Sequence, residues 1–125
     1  MTKYMQTQNA YRQIAAPTRT ARSAEYEVVA RITARLRAAV TKGQPAFPDL
    51  AAALDENRRL WTAFAEDVAN PGNTLPQDLR ARIFFLAEFT FNQTGKILAG
   101  TASATPLIEI NTAIMRGLQG QGVKP

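Results

Sequence analysis

Apolar residues recur along this chain at steps of three and four, the spacing of one helical face, in four segments. The first covers residues 23–42, and its predicted buried face consists of Tyr26, Val29, Ala30, Thr33, Leu36 and Val40. The second covers residues 48–69, and its predicted seam consists of Leu50, Leu54, Asn57, Trp61, Phe64 and Val68. No segment shows the period-two alternation that predicts a strand.

The third and fourth segments are richer in apolar residues. Residues 75–99 are apolar nearly all round at their centre, which predicts a helix that is central in the fold or buried against a partner. Thr74, with Gln77 three residues later, predicts a capping box before this helix, and Gly100 predicts its end. Residues 106–118 predict a last helix with Thr105 as its N-cap.

Proline and glycine clusters separate these segments and leave only short loops between them. We therefore expect an all-α fold, a compact bundle of four main helices, with a short N-terminal arm helix over residues 10–15. The expected organisation is a basic, partly flexible N-terminal arm (1–19), a single helical bundle domain (20–119) and a flexible tail (120–125).

Basic residues are concentrated near the start of the chain. The whole chain has 15 basic and 10 acidic residues, whereas residues 1–42 have eight basic and two acidic ones, a net charge of +6. This asymmetry fits either a solvated surface or an anionic partner such as RNA, which Arg31 and Arg35 on one helix face would contact. Aromatic residues are not interleaved with these bases, so protein binding is the favoured alternative. Asp55 and Arg59 are spaced to form an outer ion pair.

The composition also restricts the chemistry. The chain has no cysteine and no histidine, which excludes zinc fingers, iron–sulfur sites and catalysis that depends on a histidine base. No carboxylate cluster has metal-binding spacing, so we expect a non-enzyme with no metal and no cofactor. The longest unbroken apolar runs have five residues, so no membrane insertion is expected.

Two asparagines interrupt the apolar stripes. Asn57 lies in the second stripe between Leu54 and Trp61, and Asn111 interrupts the apolar run of the fourth segment. Each is interpreted either as a polar group that sets the register between packed helices or as a group that hydrogen-bonds to a partner chain. Trp61 likewise fits either a core position or an interface anchor.

Three segments together resemble the FlaF family of flagellar biosynthesis regulators. They are Leu54-Asp55-Glu56-Asn57-Arg58-Arg59-Leu60-Trp61, the Gly72-Asn73-Thr74-Leu75-Pro76 motif within residues 67–81, and Leu107-Ile108-Glu109-Ile110-Asn111 within residues 107–118. The start is also similar, at Asn9-Ala10-Tyr11 and Arg22-Ser23-Ala24-Glu25. The resemblance extends over nearly the whole chain.

This resemblance implies a cytoplasmic, non-catalytic bacterial protein that binds flagellin in a chaperone-like way and supports its synthesis and export for flagellum assembly. It also implies action alongside the FlbT regulator of flagellin messenger RNA. The alternative is a post-transcriptional regulator that contacts flagellin mRNA through the basic N-terminal third. The candidate partner-binding residues are Asn57, Trp61, Asn73, Arg80, Glu109, Asn111 and Arg116.

Overall fold

The computed structural model describes residues 18–42 and 47–120 of the chain. Within these ranges there are four helices and no strand: α1 (Thr18–Lys42), α2 (Phe47–Ala69), α3 (Gln77–Leu98) and α4 (Thr105–Gly120). The prediction of an all-α, four-helix bundle is therefore confirmed. The predicted arm helix over residues 10–15 lies outside the described residues, as does the tail from 121 onward.

The helix starts differ from the sequence prediction. α1 begins at Thr18, several residues before the predicted start at residue 23. The capping box at Thr74 is wrong, because Pro76, with its extended backbone, is itself the N-cap of α3 and no side chain caps that helix. Thr105 is also not an N-cap but the first residue of α4, and its N–H donates to the Ser103 hydroxyl at 3.0 Å.

The end of α3 follows the prediction at Gly100. This glycine has a φ of +82°, in the left-handed region that other residues rarely adopt. Its N–H donates to the Ile97 carbonyl at 3.0 Å, and the N–H of Thr101 reaches back to the Lys96 carbonyl at 2.9 Å. These two bonds form a Schellman motif, which satisfies the last carbonyls of α3 and turns the chain toward α4.

The helices pack around the bundle unequally. α1 packs against both α2 and α4, and α2 packs extensively against α3, whereas α3 and α4 contact each other far less. Short loops join successive helices, so neighbours in the chain run in opposite directions. The result is a bundle with three well-packed sides and one open side, between α3 and α4.

The core consists of two apolar clusters stacked along the bundle axis. The loop-end cluster lies at the end where the α3–α4 loop turns, and its buried members are Leu36, Ala53, Leu54, Ile97, Ala104 and Leu107. The Trp61 cluster lies toward the other end, and its buried members are Val29, Ile32, Leu60, Trp61 and Ala87. The Trp61 cluster has the larger surround of partly buried apolar residues, which come from all four helices.

The predicted stripes are largely those that the structure buries. In α1 the stripe ends on Ala39 rather than Val40, which is 40% exposed. On the surface, the Asp55 carboxylate accepts from Arg58 at 2.7 Å and from Arg59 at 3.0 Å, so the predicted Asp55–Arg59 pair is confirmed.

Candidate partner-binding surface

Three of the candidate residues form one buried hydrogen-bond chain. The indole Nε1 of Trp61 donates to Asn111 Oδ1 at 2.9 Å, and Asn111 Nδ2 donates to Asn57 Oδ1 at 2.8 Å. All three side chains are 0% exposed. The chain connects α2 to α4 through the centre of the bundle, which is the geometry of a register-setting core group. In this conformation none of the three reaches a surface that a partner can contact.

Asn73 shapes the turn between α2 and α3. Its side-chain oxygen accepts from the N–H of Leu75 at 3.0 Å, and its Nδ2 donates to the Asp67 carbonyl at 3.1 Å. The Asn70 side chain makes a second such bond, to the N–H of Gly72 at 2.8 Å. Two of these bonds satisfy N–H groups of the turn and the third reaches a carbonyl in the last turn of α2, so the two asparagines hold the entry to α3 in place.

The three charged candidates are separated on the surface. Arg80 lies one turn before Ile83, on the inward side of α3, and its side chain is half-buried. Its Nε atom is buried and has no hydrogen-bond partner in the protein. Glu109 and Arg116 are exposed, and their seven-residue separation puts both on the outer face of α4. The seven predicted residues thus lie in the core, in a turn and on two helices, and do not form one site.

The open side of the bundle is lined by apolar residues, beginning with α4. Arg37 of α1 donates to the Thr112 hydroxyl at 3.4 Å, so this side of α4 faces α1. Ile110 and Ile114 each lie about 160° around the helix from Thr112, on the side away from α1. Both are partly buried and pack on the Trp61 cluster. This side of α4 therefore faces the gap toward α3.

The facing side of α3 can be located in the same way. Gln93 donates its amide to the Ser103 carbonyl, just before α4 begins, at 3.0 Å. Leu86 lies seven residues earlier, about 20° around the helix, so it shares this side. We define the α3–α4 seam by the partly buried apolar residues on these two facing sides, which all pack on the Trp61 cluster: Leu86, Ile110, Ile114 and Leu118.

An exposed phenylalanine stands at the edge of this seam. Phe85 is 64% exposed, and it lies about 80° around α3 from Gln93, on the side away from the buried Thr90. Phe84 is also exposed, but it lies on the other edge of the outward face of α3. A large exposed aromatic side chain beside a partly covered apolar strip is typical of an interaction surface. Phe85 was not among the partner-binding residues predicted from the sequence. The feature that could have indicated it is the apolar character of α3 on all its sides.

The sequence model of the flagellar protein FlaF matches residues 7–118, most of the chain. The chain belongs to the FlaF family. This confirms the resemblance seen in its motifs and establishes a flagellar-related protein. Searches of the curated proteins and of the solved structures found no match.

In this FlaF family member, several charged groups of α1 and α2 form surface ion pairs. Arg31 and Arg35 of α1 both bind Glu56 of α2, at 2.7 and 2.6 Å. Hydrogen bonding from Arg58 is the main cause that lowers the pKa of the exposed Asp55 carboxyl, aided by the charge of Arg59. Because Glu56 already occupies donors of Arg31 and Arg35, these arginines have fewer donors for phosphate groups than the sequence suggests.

The described residues lack two further features, a metal-binding cluster and a membrane-spanning helix. Among them, no group of three or more histidine, cysteine, aspartate or glutamate residues is placed to hold a metal ion. None of the four described helices is long and apolar enough to cross a membrane.

Proposed function

We propose that this FlaF family member is a cytoplasmic, non-catalytic protein that binds flagellin and supports its synthesis and export for flagellum assembly. In this proposal an amphipathic helix of unassembled flagellin lies in the α3–α4 seam, and Phe85 anchors it at the edge. FlbT is a second proposed partner, which the same complex would engage during control of flagellin synthesis.

The observation that carries this proposal is the open side of the bundle in a member of a flagellar family. A helix that binds a groove presents apolar residues at steps of three and four to an apolar strip of similar length. The seam offers apolar residues on two helices, Leu86 on α3 and the strip from Ile110 to Leu118 on α4. A fifth helix placed there would cover the seam residues, which are only partly buried where they pack on the Trp61 cluster.

The proposal of a non-catalytic role rests on the residues themselves. The chain has no histidine or cysteine, and the buried polar groups of the described core are neutral asparagine and threonine side chains. The pKa of Asp55, an exposed carboxyl in ion pairs with arginines, is lowered mainly by hydrogen bonding from Arg58. A shift with that cause indicates a surface ion pair rather than an acid–base catalyst.

Binding of the purified full chain to monomeric flagellin, measured by calorimetry at low and high salt, tests the proposal. We expect binding that persists at high salt, because burial of apolar surface is not screened. Phe85→Asp should weaken it at least tenfold. Phe47→Asp is the matched control, because Phe47 is 47% exposed and begins α2 at the opposite end of the bundle. The control should bind flagellin as the wild type does.

The possible results of this experiment distinguish whether flagellin is the partner from where on the molecule it binds. Equal binding by both variants would place flagellin elsewhere on the molecule and remove the seam from the proposal. Absence of flagellin binding, together with binding to flagellin leader RNA that falls steeply with salt, would replace the proposal by the mRNA alternative. Circular dichroism of both variants shows whether the bundle is intact.

A further inference from the structure

A layer of buried polar residues separates the two apolar clusters. Its members come from all four helices and are at most 5% exposed: Thr33, Asn57, Thr90, Thr94 and Asn111. None carries a charge, so the layer is neutral at every pH at which the protein folds. Buried polar groups are nearly always hydrogen-bonded, and each of these must therefore have a partner.

Most of the polar side-chain atoms in this layer have a hydrogen-bond partner within the protein. The Thr33 hydroxyl donates to the Val29 carbonyl at 2.6 Å, and the Thr94 hydroxyl donates to the Thr90 carbonyl at 2.7 Å. Asn111 is bonded on both sides, to Trp61 and to Asn57. Two side-chain atoms remain buried and without a partner in the protein: Asn57 Nδ2 and Thr90 Oγ1.

These two atoms belong to the same level of the bundle. α2 and α3 are antiparallel, and they contribute Trp61 and Ala87 to one cluster and Leu54 and Ile97 to the other. Asn57 lies between Leu54 and Trp61 on α2. Thr90 lies between Ala87 and Ile97 on α3. Because each residue falls between the same two clusters on adjacent helices, their side chains share one layer of the core.

We propose that this layer holds an ordered internal water molecule, bound by Asn57 Nδ2 and Thr90 Oγ1. The amide nitrogen only donates, whereas the hydroxyl both donates and accepts. A cation is excluded because it needs oxygen ligands in place of the donor, and an anion would be buried without an opposite charge. A water molecule accepts from Asn57 and donates to Thr90, so it satisfies both atoms. Internal waters of this kind are a regular part of globular proteins.

The water extends the buried hydrogen-bond chain to a third helix. The chain then runs from Asn111 on α4, through Asn57 on α2, to Thr90 on α3. α3 and α4 make few direct contacts, and this route would join them through the core. The site does not depend on the proposed partner, because it involves none of the seam's apolar side chains.

A crystal structure of the full chain at a resolution that shows ordered water tests the site directly. We expect one water oxygen about 2.7–3.2 Å from both Asn57 Nδ2 and Thr90 Oγ1. Density showing a direct bond from Asn57 Nδ2 to a protein acceptor, or an empty layer, would overturn the proposal.

A solution measurement keeps the proposal testable without crystals. Oxygen-17 magnetic relaxation dispersion counts long-lived internal waters, and Thr90→Val, which keeps the side-chain shape, should lose one relative to the wild type. Thr33→Val is the matched control, because its hydroxyl proton is already donated to Val29. It should keep the water. An equal count in wild type and Thr90→Val, or an equal loss in both variants, contradicts binding at Thr90.

Discussion

Removal of the Asn111 side chain should destabilise the bundle strongly, because two buried groups lose their partner at once. In Asn111→Ala the indole N–H of Trp61 loses its acceptor and the Asn57 amide oxygen loses its donor. Each newly unsatisfied buried group costs about 1–3 kcal/mol. Together they lower the free energy of unfolding by about 2–6 kcal/mol, less roughly 0.5 kcal/mol from the better helix propensity of alanine. This is a large part of the 5–15 kcal/mol typical of a domain.

Urea denaturation followed by circular dichroism measures this loss, and Trp61 provides a second probe because it is the only tryptophan. The fluorescence of the folded variant should also change, since its indole no longer donates to an amide oxygen. Asn92→Ala makes the same substitution at an exposed position of α3 and should shift stability by no more than about 0.5 kcal/mol. A loss in Asn111→Ala as small as in this control would refute the reasoning.

Three smaller perturbations test other features. Gly100→Ala meets no neighbouring atom but must keep a φ of +82°, so it should cost about 1–2 kcal/mol in thermal unfolding experiments, and no loss would contradict the Schellman turn. Glu56→Gln removes both exposed ion pairs between α1 and α2 and should cost less than about 2 kcal/mol in urea, with a smaller loss at high salt. The pKa of Asp55, followed by NMR, should lie below 3.8 and rise toward that value in Arg58→Gln. Because that pKa is lowered on folding, the stabilisation from its ion pairs is present above the unfolded pKa and is lost as the pH falls through the folded one. An unshifted value would show that the arginines are too mobile to bind it.

The helices were predictable because their signal is local. A stripe of apolar residues at steps of three and four specifies a helical face without reference to the rest of the chain. The capping box at Thr74 failed although its residue types were right, because Pro76 imposes its own backbone conformation on the helix start. The capping pattern and the proline are both local signals, and the proline decided where the helix begins because its ring fixes the backbone angle φ. The capping pattern records only side-chain types and does not include that constraint.

The buried network lies beyond local reasoning. Asn57 and Asn111 stand out in the sequence as polar residues within apolar stripes, but the bond between them joins positions 54 residues apart. Its formation depends on the relative register of α2 and α4, which are not adjacent in the chain. The position of the seam is unpredictable for the same reason, since the apolar centre of α3 does not indicate which of its sides another helix will cover.

The unequal packing of α4 has a consequence for how the bundle forms. α4 contacts the helix that precedes it only slightly and packs mainly on α1, and the Arg37–Thr112 bond joins residues 75 positions apart. Closing such a long loop carries an entropic cost before any contact repays it, which slows the step that needs it. We therefore expect the α1–α2 and α2–α3 hairpins to form first and α4 to dock last. During synthesis the side of α1 that packs on α4 thus stays uncovered until residues 105–120 have left the ribosome.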